Sequence, residues 1–504
     1  MRIMLQLQLL QKNKNMKTLK SLCGTSLLMV LFIFSFGCSG KLASYSEEGR
    51  DASIFPDYNG VTFPPNIAPA NFMIRENADK FRVYIHSQGK DRISINSGNG
   101  KVIIPGRKWK KLLQDCRGND LFTEVYAKKN GKWFKYNTII NHVANENIDN
   151  YLVYRLIEPG FETWSKMGIY QRCLENYSEK PVMVNDMSDG NCMNCHAFCL
   201  NNSNIMMFHM RAQHGGTIIY RNNKLEKVNT KTSSTISAGV YPSWHPGGSI
   251  IAFSVNNIVQ MFHSAPGRKI DVIDTLSDVV IYDTDTKKIS TCDALSTKEN
   301  LETFPSWSPD GKYLYYCSAR AIPLEKYDQV RYDLLRIAFD PVSKQFGSVD
   351  TVVSASKKKL SVSFPRVSPD GKYLLFCMSD YGNFSIWHQE SDLYMKDLKT
   401  GEITKPDINS GQSESYHSWS SSGRWIVFSS RRLDGLFTRP FIAYFDTSGE
   451  ACKPFILPQK DPSFYNTFIK SYNVPELVTS EIKLNPRILS GLTDDKIIPA
   501  GFEK

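Results

Sequence analysis

The chain has 504 residues, with 61 Lys and Arg against 50 Asp and Glu and a formal net charge of +11. Five basic side chains and no acidic one fall in residues 1–37, so the remainder carries only +6, too small an excess over that length for a nucleic-acid partner. Aromatic residues make up 12%, and 31 Gly and 24 Pro punctuate the chain, a composition that suits a large all-β protein.

Residues 1–37 read as a processing signal. Lys17 and Lys20 precede an apolar run from Leu27 to Phe36 that is too short to span a bilayer, and Gly37 leads directly into Cys38. This ending resembles a bacterial lipobox, although Phe36 stands where small residues are usual; the resemblance implies lipidation of Cys38 and an anchor in the cell envelope. No acidic run immediately follows Cys38, which points to the outer membrane, facing the periplasm. With Cys23 inside the signal and Cys38 as the lipid site, nine of the eleven cysteines remain, an odd number that forbids complete internal pairing.

Residues 38–54 are polar and read as a tether. From 55 to 158, short alternating runs at 81–86, 92–97, 102–104, 121–127 and 133–137, with a Lys-Asn-Gly-Lys turn at 129–132, predict a β-sandwich of immunoglobulin-like form. Nothing in it has the spacing of a catalytic site.

Residues 159–202 are expected to link this sandwich to the rest of the chain. They hold the one stretch that carries chemistry: Asn191, Cys192, Met193, Asn194, Cys195, His196, Ala197, Phe198, Cys199. Two thiols three apart reach the two vinyl groups on one edge of a porphyrin, and the next residue then aims its imidazole at the iron. The stretch resembles the attachment motif of c-type cytochromes, and export supplies the compartment in which haem is joined to such proteins. The resemblance implies covalent haem c on Cys192 and Cys195 with His196 as the proximal iron ligand. Downstream, His209, His214 and the methionines 206, 207 and 210 offer a sixth ligand. A strand over 205–211 puts Arg211 on the face of His209, where it would pair with a haem propionate. Two alternatives stand beside haem. One is a disulfide, between Cys192 and Cys195 or to Cys116 or Cys173; the other is a zinc ion on Cys192, Cys195, Cys199 and His196, four ligands crowded poorly for a tetrahedron.

From 203 to 470 one phrase recurs: YPSWHPGGSIIAFS from Tyr241, FPSWSPDGKYLYYC from Phe304, FPRVSPDGKYLLFC from Phe364 and YHSWSSSGRWIVFS from Tyr416. Pro309 presets the first corner of a turn, Asp310 suits it, and Gly311 tolerates the positive φ that follows. Trp244, Trp307, Val367 and Trp419 fall about fifty to sixty residues apart, the length of one four-stranded sheet. The repeats resemble the TolB-type, WD40-like β-propeller family. That resemblance implies an all-β propeller of about six blades, the repeated Trp wedged between neighbours and the Cys317 and Cys377 thiols buried in their strands. A hairpin from 205 to 220 would add a blade, and the tail, 471–504, would supply a ring-closing strand.

Propellers serve binding, scaffolding and catalysis alike. A peptidase of the propeller-gated kind needs a hydrolase domain with a Gly-x-Ser-x-Gly elbow, which the tail cannot hold, so a redox carrier or binding protein is expected rather than a hydrolase. Two functions remain open. One is a haem-bearing redox lipoprotein with an envelope protein partner docked on the propeller face. The other is a non-enzymatic scaffold that grips a protein or glycan, its cysteine cluster stapling a domain junction.

Overall fold

Each copy of the repeated phrase folds as an inner strand, a tight turn and a second strand antiparallel to the first. In the copy at Phe304 the Asp310 carboxylate accepts from Ser308 Oγ and from the Lys312 N–H at 3.1 Å, while Ser308 Oγ accepts from the Tyr313 N–H at 3.0 Å. The copy at Phe364 repeats these bonds with Ser368 and Asp370. Where the sequence departs, the chemistry is replaced in kind. Ser422 Oγ takes the Arg424 N–H in the last copy, and His245 Nδ1 accepts from the Gly247 N–H in the first.

The computed structural model describes residues 42, 44–88, 92–158, 166–264, 270–491 and 497–503. The signal and Cys38 lie outside them. Six sheets form a closed ring. Their innermost strands, in chain order, are Met193–Cys199, Val240–Trp244, Asn300–Trp307, Ser361–Val367, Glu414–Trp419 and Ser471–Val478, and each touches the next, the last returning to the first. Trp244, Trp307 and Trp419 are buried, and Trp307 packs edge-on against His245 in the turn of the preceding blade, the wedge expected of it. Cys317 and Cys377 are fully buried thiols.

Two sequence-based boundaries move. Tyr151–Ile157, assigned to the sandwich, pairs with Met167–Cys173 on one side and with Ser471–Val478 on the other, so it is a strand of the ring. Residues 159–202 are no linker, because Met167–Cys173, Glu179–Val184 and Met193–Cys199 are strands of two blades. The tail closes the ring with Ser471–Val478, and its last strands, Ile498–Pro499 and Gly501–Phe502, lie parallel to the outer edges of two further blades. Tyr151–Ile157 and its partner in the tail lie some 320 residues apart in sequence, and local periodicity carries no sign of such a non-local pairing.

Residues 46–143 build the preceding domain. A seven-stranded sheet shares a core with three short strands and with helix α1, Gly106–Asp115, an element the sequence reading left out. Trp109, Leu112 and Leu113 bury one stripe of α1 at helical spacing, and Lys108, Lys110 and Lys111 disguise it as polar. The domain docks on the blade that begins at Glu414. Phe63 meets Phe455 edge-on at 5.2 Å, Trp425 Nε1 donates to the Glu146 carbonyl at 3.1 Å, and Asp149 accepts from the Ser421 N–H at 2.8 Å.

Candidate functional site

Every inner strand slips register at a bulge where one residue takes a left-handed backbone: Cys195, Tyr241, Phe304, Phe364, Tyr416 and Val474, with φ from 44° to 53°. A bulge of this kind re-aims one side chain and costs a non-glycine residue on the order of 1–2 kcal/mol. Here it turns six side chains toward the axis. Tyr241, Phe304, Phe364 and Tyr416 pack in sequence with ring centroids 4.3, 4.2 and 4.7 Å apart. Val474 and Cys195 complete the circle. They line a cavity of about 650 Å³ into which Arg155, Arg211, Arg366 and Arg431 project, against the acidic Glu158 and Glu476.

The Cys-x-x-Cys-His stretch is therefore a further copy of the repeat. Cys195 stands where the other strands have Tyr241, Phe304, Phe364, Tyr416 and Val474. His196 stands where they have Pro242, Pro305, Pro365, His417 and Pro475. The two histidines of this position differ. His417 Nε2 donates to the Leu375 carbonyl at 3.0 Å, whereas His196, 2% exposed, has no hydrogen-bond partner at either ring nitrogen. Burial, with Arg155 adding to it and a weak backbone contact with Val474 opposing, pulls the His196 imidazole down to about 3, so it is neutral.

Of the expected site residues, Cys195, His196 and Arg211 line the cavity. Cys192 does not; it packs among Val153, Met167, Met206 and Phe208. Cys192 precedes the strand Met193–Cys199 by one residue, so alternation does not tie it to the cavity-lining Asn194; both thiols stand beside the enclosed Arg155 guanidinium. Burial pushes the Cys192 thiol up, against the pull of Arg155 and Arg211.

His209 and His214 are corrections. The strand Asn202–Met210 ends one residue before Arg211, so alternation no longer ties Arg211 to His209. Arg211 reaches the cavity while His209 bonds Thr217 Oγ1 at 3.1 Å, and burial then Arg211 lower it to about 4. His214 Nε2 pairs with Asp189 at 2.9 Å, away from the cavity lining. The other cavity imidazoles are His263 and His417.

The nine described cysteines are all free, so Cys192 and Cys195 are joined neither to each other nor to Cys116 or Cys173. Cys199 turns into the next blade, 3.5 Å from the His245 carbonyl oxygen, and among the described residues no three His, Cys, Asp or Glu gather at metal-binding distances. The zinc set is not assembled. For haem, the chain offers a neutral imidazole next to a thiol, a cavity of about 650 Å³, an aromatic floor and cations for carboxylates, while Cys192 packs in the core behind that lining. Sequence reasoning missed Arg155, Arg366 and Arg431. Arg366 had a signal, since it replaces the Ser243, Ser306 and Ser418 of the other copies.

Fold and site together define a six-bladed β-propeller with an added N-terminal domain. No family model and no curated protein matches the chain. Among solved structures it is similar to the Dos1 propeller, at 13% identity over 54% of this chain and 62% of that one, TM-score 0.34. It is also similar to prolyl oligopeptidase B from Galerina marginata, at 10% identity over 84% and 62%, TM-score 0.34, and to an ancestral GH74 enzyme, at 10% over 86% and 63%, TM-score 0.29. The chain spans about three-fifths of the length of the structures it matches.

Proposed function

We propose that this chain is an envelope lipoprotein, anchored through Cys38 in the outer membrane and facing the periplasm, that carries one covalent haem c in the propeller's central cavity and exchanges electrons with an envelope protein docked on the propeller face. The observation that carries this reading is the buried His196 imidazole, unpartnered at both nitrogens beside Cys195 and the cavity. Cys192 and Cys195 would hold the porphyrin edge and His196 the iron; Arg155 and Arg211, next to the motif strand, would meet its carboxylates. When bound, the haem supplies a one-electron couple. The chain's part is to exclude water with the aromatic circle and to fix the charge around the iron.

The test is expression of the mature chain in a host with cytochrome-c maturation. A Soret band that survives acid and organic extraction, and that is lost in Cys192→Ser and Cys195→Ser, is expected. A colourless product under the same conditions refutes the reading. Phe262, 71% exposed, and Leu436, 46% exposed, both at the cavity's edge, favour a second reading, a non-enzymatic scaffold that docks a protein partner there. Under it, partner binding survives both serine substitutions.

A further inference from the structure

The strands Ile250–Phe262 and Ile270–Asp283 are the longest of the ring, at 13 and 14 residues, and carry His263 and Asp271 past the body of their blade. His263 lines the cavity. The Asp271 carboxylate, its side chain 3% exposed, is met from two sides: His263 Nε2 lies 2.7 Å from one oxygen and His388 Nε2 3.1 Å from the other. The Tyr381 hydroxyl donates to the same carboxylate at 3.2 Å. Beyond His388, its Nδ1 lies 3.1 Å from Glu390, whose side chain is 38% exposed.

A carboxylate only accepts, so His388, with one at each nitrogen, donates from both and carries a positive charge. Burial works against that charge, but the bonds to Asp271 and Glu390 outweigh it and raise His388 above its ordinary value. Burial likewise pushes Asp271 up, and the bonds from His388, His263 and Tyr381 outweigh it and hold the carboxyl down. The charges around the cluster are few. Arg331 lies over the Tyr381 ring at 5.9 Å and Arg431 over Trp387 at 4.4 Å, while Asp274, three residues along from Asp271, is engaged by Asn256, Asn383 and Tyr332. His263 uses Nε2 on Asp271, and no described residue bonds its Nδ1.

We propose that His263, Asp271, His388 and Glu390 couple proton uptake in the cavity to proton release at the surface. A proton taken from solvent in the cavity binds the His263 Nδ1 lone pair. Asp271, with one negative charge to share, then neutralises the His263 imidazolium, and His388 gives its Nδ1 proton to Glu390 and on to water. One proton enters and one leaves; none crosses Asp271, and no electron moves. The cluster ends with the same total charge, its positive member exchanged.

The coupling is independent of haem and is read without it, by histidine side-chain NMR of the full mature chain between about pH 4 and 9. In the wild type the His388 resonances move in two steps, one of them together with His263. In His263→Gln, which removes the rival for Asp271, they move in one step displaced to higher pH, and in Asp271→Asn His388 loses its proton at lower pH. A His388 curve unchanged by His263→Gln overturns the proposal. His263 is partly exposed, so that variant keeps the test open if Asp271→Asn does not fold. An absent Soret band leaves these curves untouched.

Discussion

His196 occupies a position that is proline in four of the other five inner strands, in a bulge that needs no N–H from it. His196→Pro should therefore change unfolding free energy by no more than about 1 kcal/mol, which thermal or urea unfolding reads directly, while abolishing retention of haem. A loss of several kcal/mol would mean that the imidazole has a structural partner. Glu476, deep in the ring, is a residue whose titration the fold moves to neutral pH: burial pushes its carboxyl up to about 7 from 4.5, with Arg366 pulling the other way. A raised acid favours its neutral form in the folded chain, so the stability it lends is full below about 4.5 and is lost as pH rises through about 7. Glu476→Gln should match the wild type at about pH 4 and exceed it by ~1–3 kcal/mol at about pH 8, measured by unfolding at both pH values. The chemistry of single residues was partly legible in the sequence. Cys195 and His196 stood out by spacing, but the orphaned nitrogens of His196 and the enclosure of Arg155 depend on strands far away in the chain.

Among elements, the inner strand with its bulge does most to shape the site. Phe304 lies between Tyr241 and Phe364 in the aromatic circle and is 3% exposed. Phe304→Ala removes both ring contacts and opens the axis, at an expected cost of about 3 kcal/mol, to be read as a lowered denaturation midpoint without a change in slope. Four of these strands were legible because the turn after each needs Gly311, Gly371 or their equivalents at positive φ and a side-chain acceptor beside it. The strand at Met193–Cys199 was not, because Cys195, His196, Phe198 and Cys199 replace the aromatic, Pro, Trp and Ser of the phrase and its following loop is one residue longer. Helix α1 was hidden by its lysines, since a three-residue apolar stripe among cations scores as a polar loop unless helical spacing is tried.

For the whole molecule, the ring's closure decides stability. Ser471–Val478 is the inner strand of the blade that Tyr151–Ile157 begins, so the two ends of the propeller share one sheet. Truncation after 470 should open that sheet, expose Leu152, Tyr154 and the Met193 core to water, and replace one cooperative unfolding transition by a broad or non-native one in calorimetry. The N-terminal domain braces the blade next to this seam through Trp425, Phe455 and Ser421. The ring's existence and approximate size could be read from four repeats and the closing strand placed in the tail; that its partner is Tyr151–Ile157 could not. The central claim is that one porphyrin is joined to the chain at Cys192 and Cys195, in a cavity that this closure creates. Mass spectrometry of the denatured mature protein, made with cytochrome-c maturation, tests it most directly. The account predicts the added mass of one haem on the peptide that contains both thiols, and none on His196-containing peptides of the double serine variant; unmodified Cys192 and Cys195 in the mature chain would contradict it.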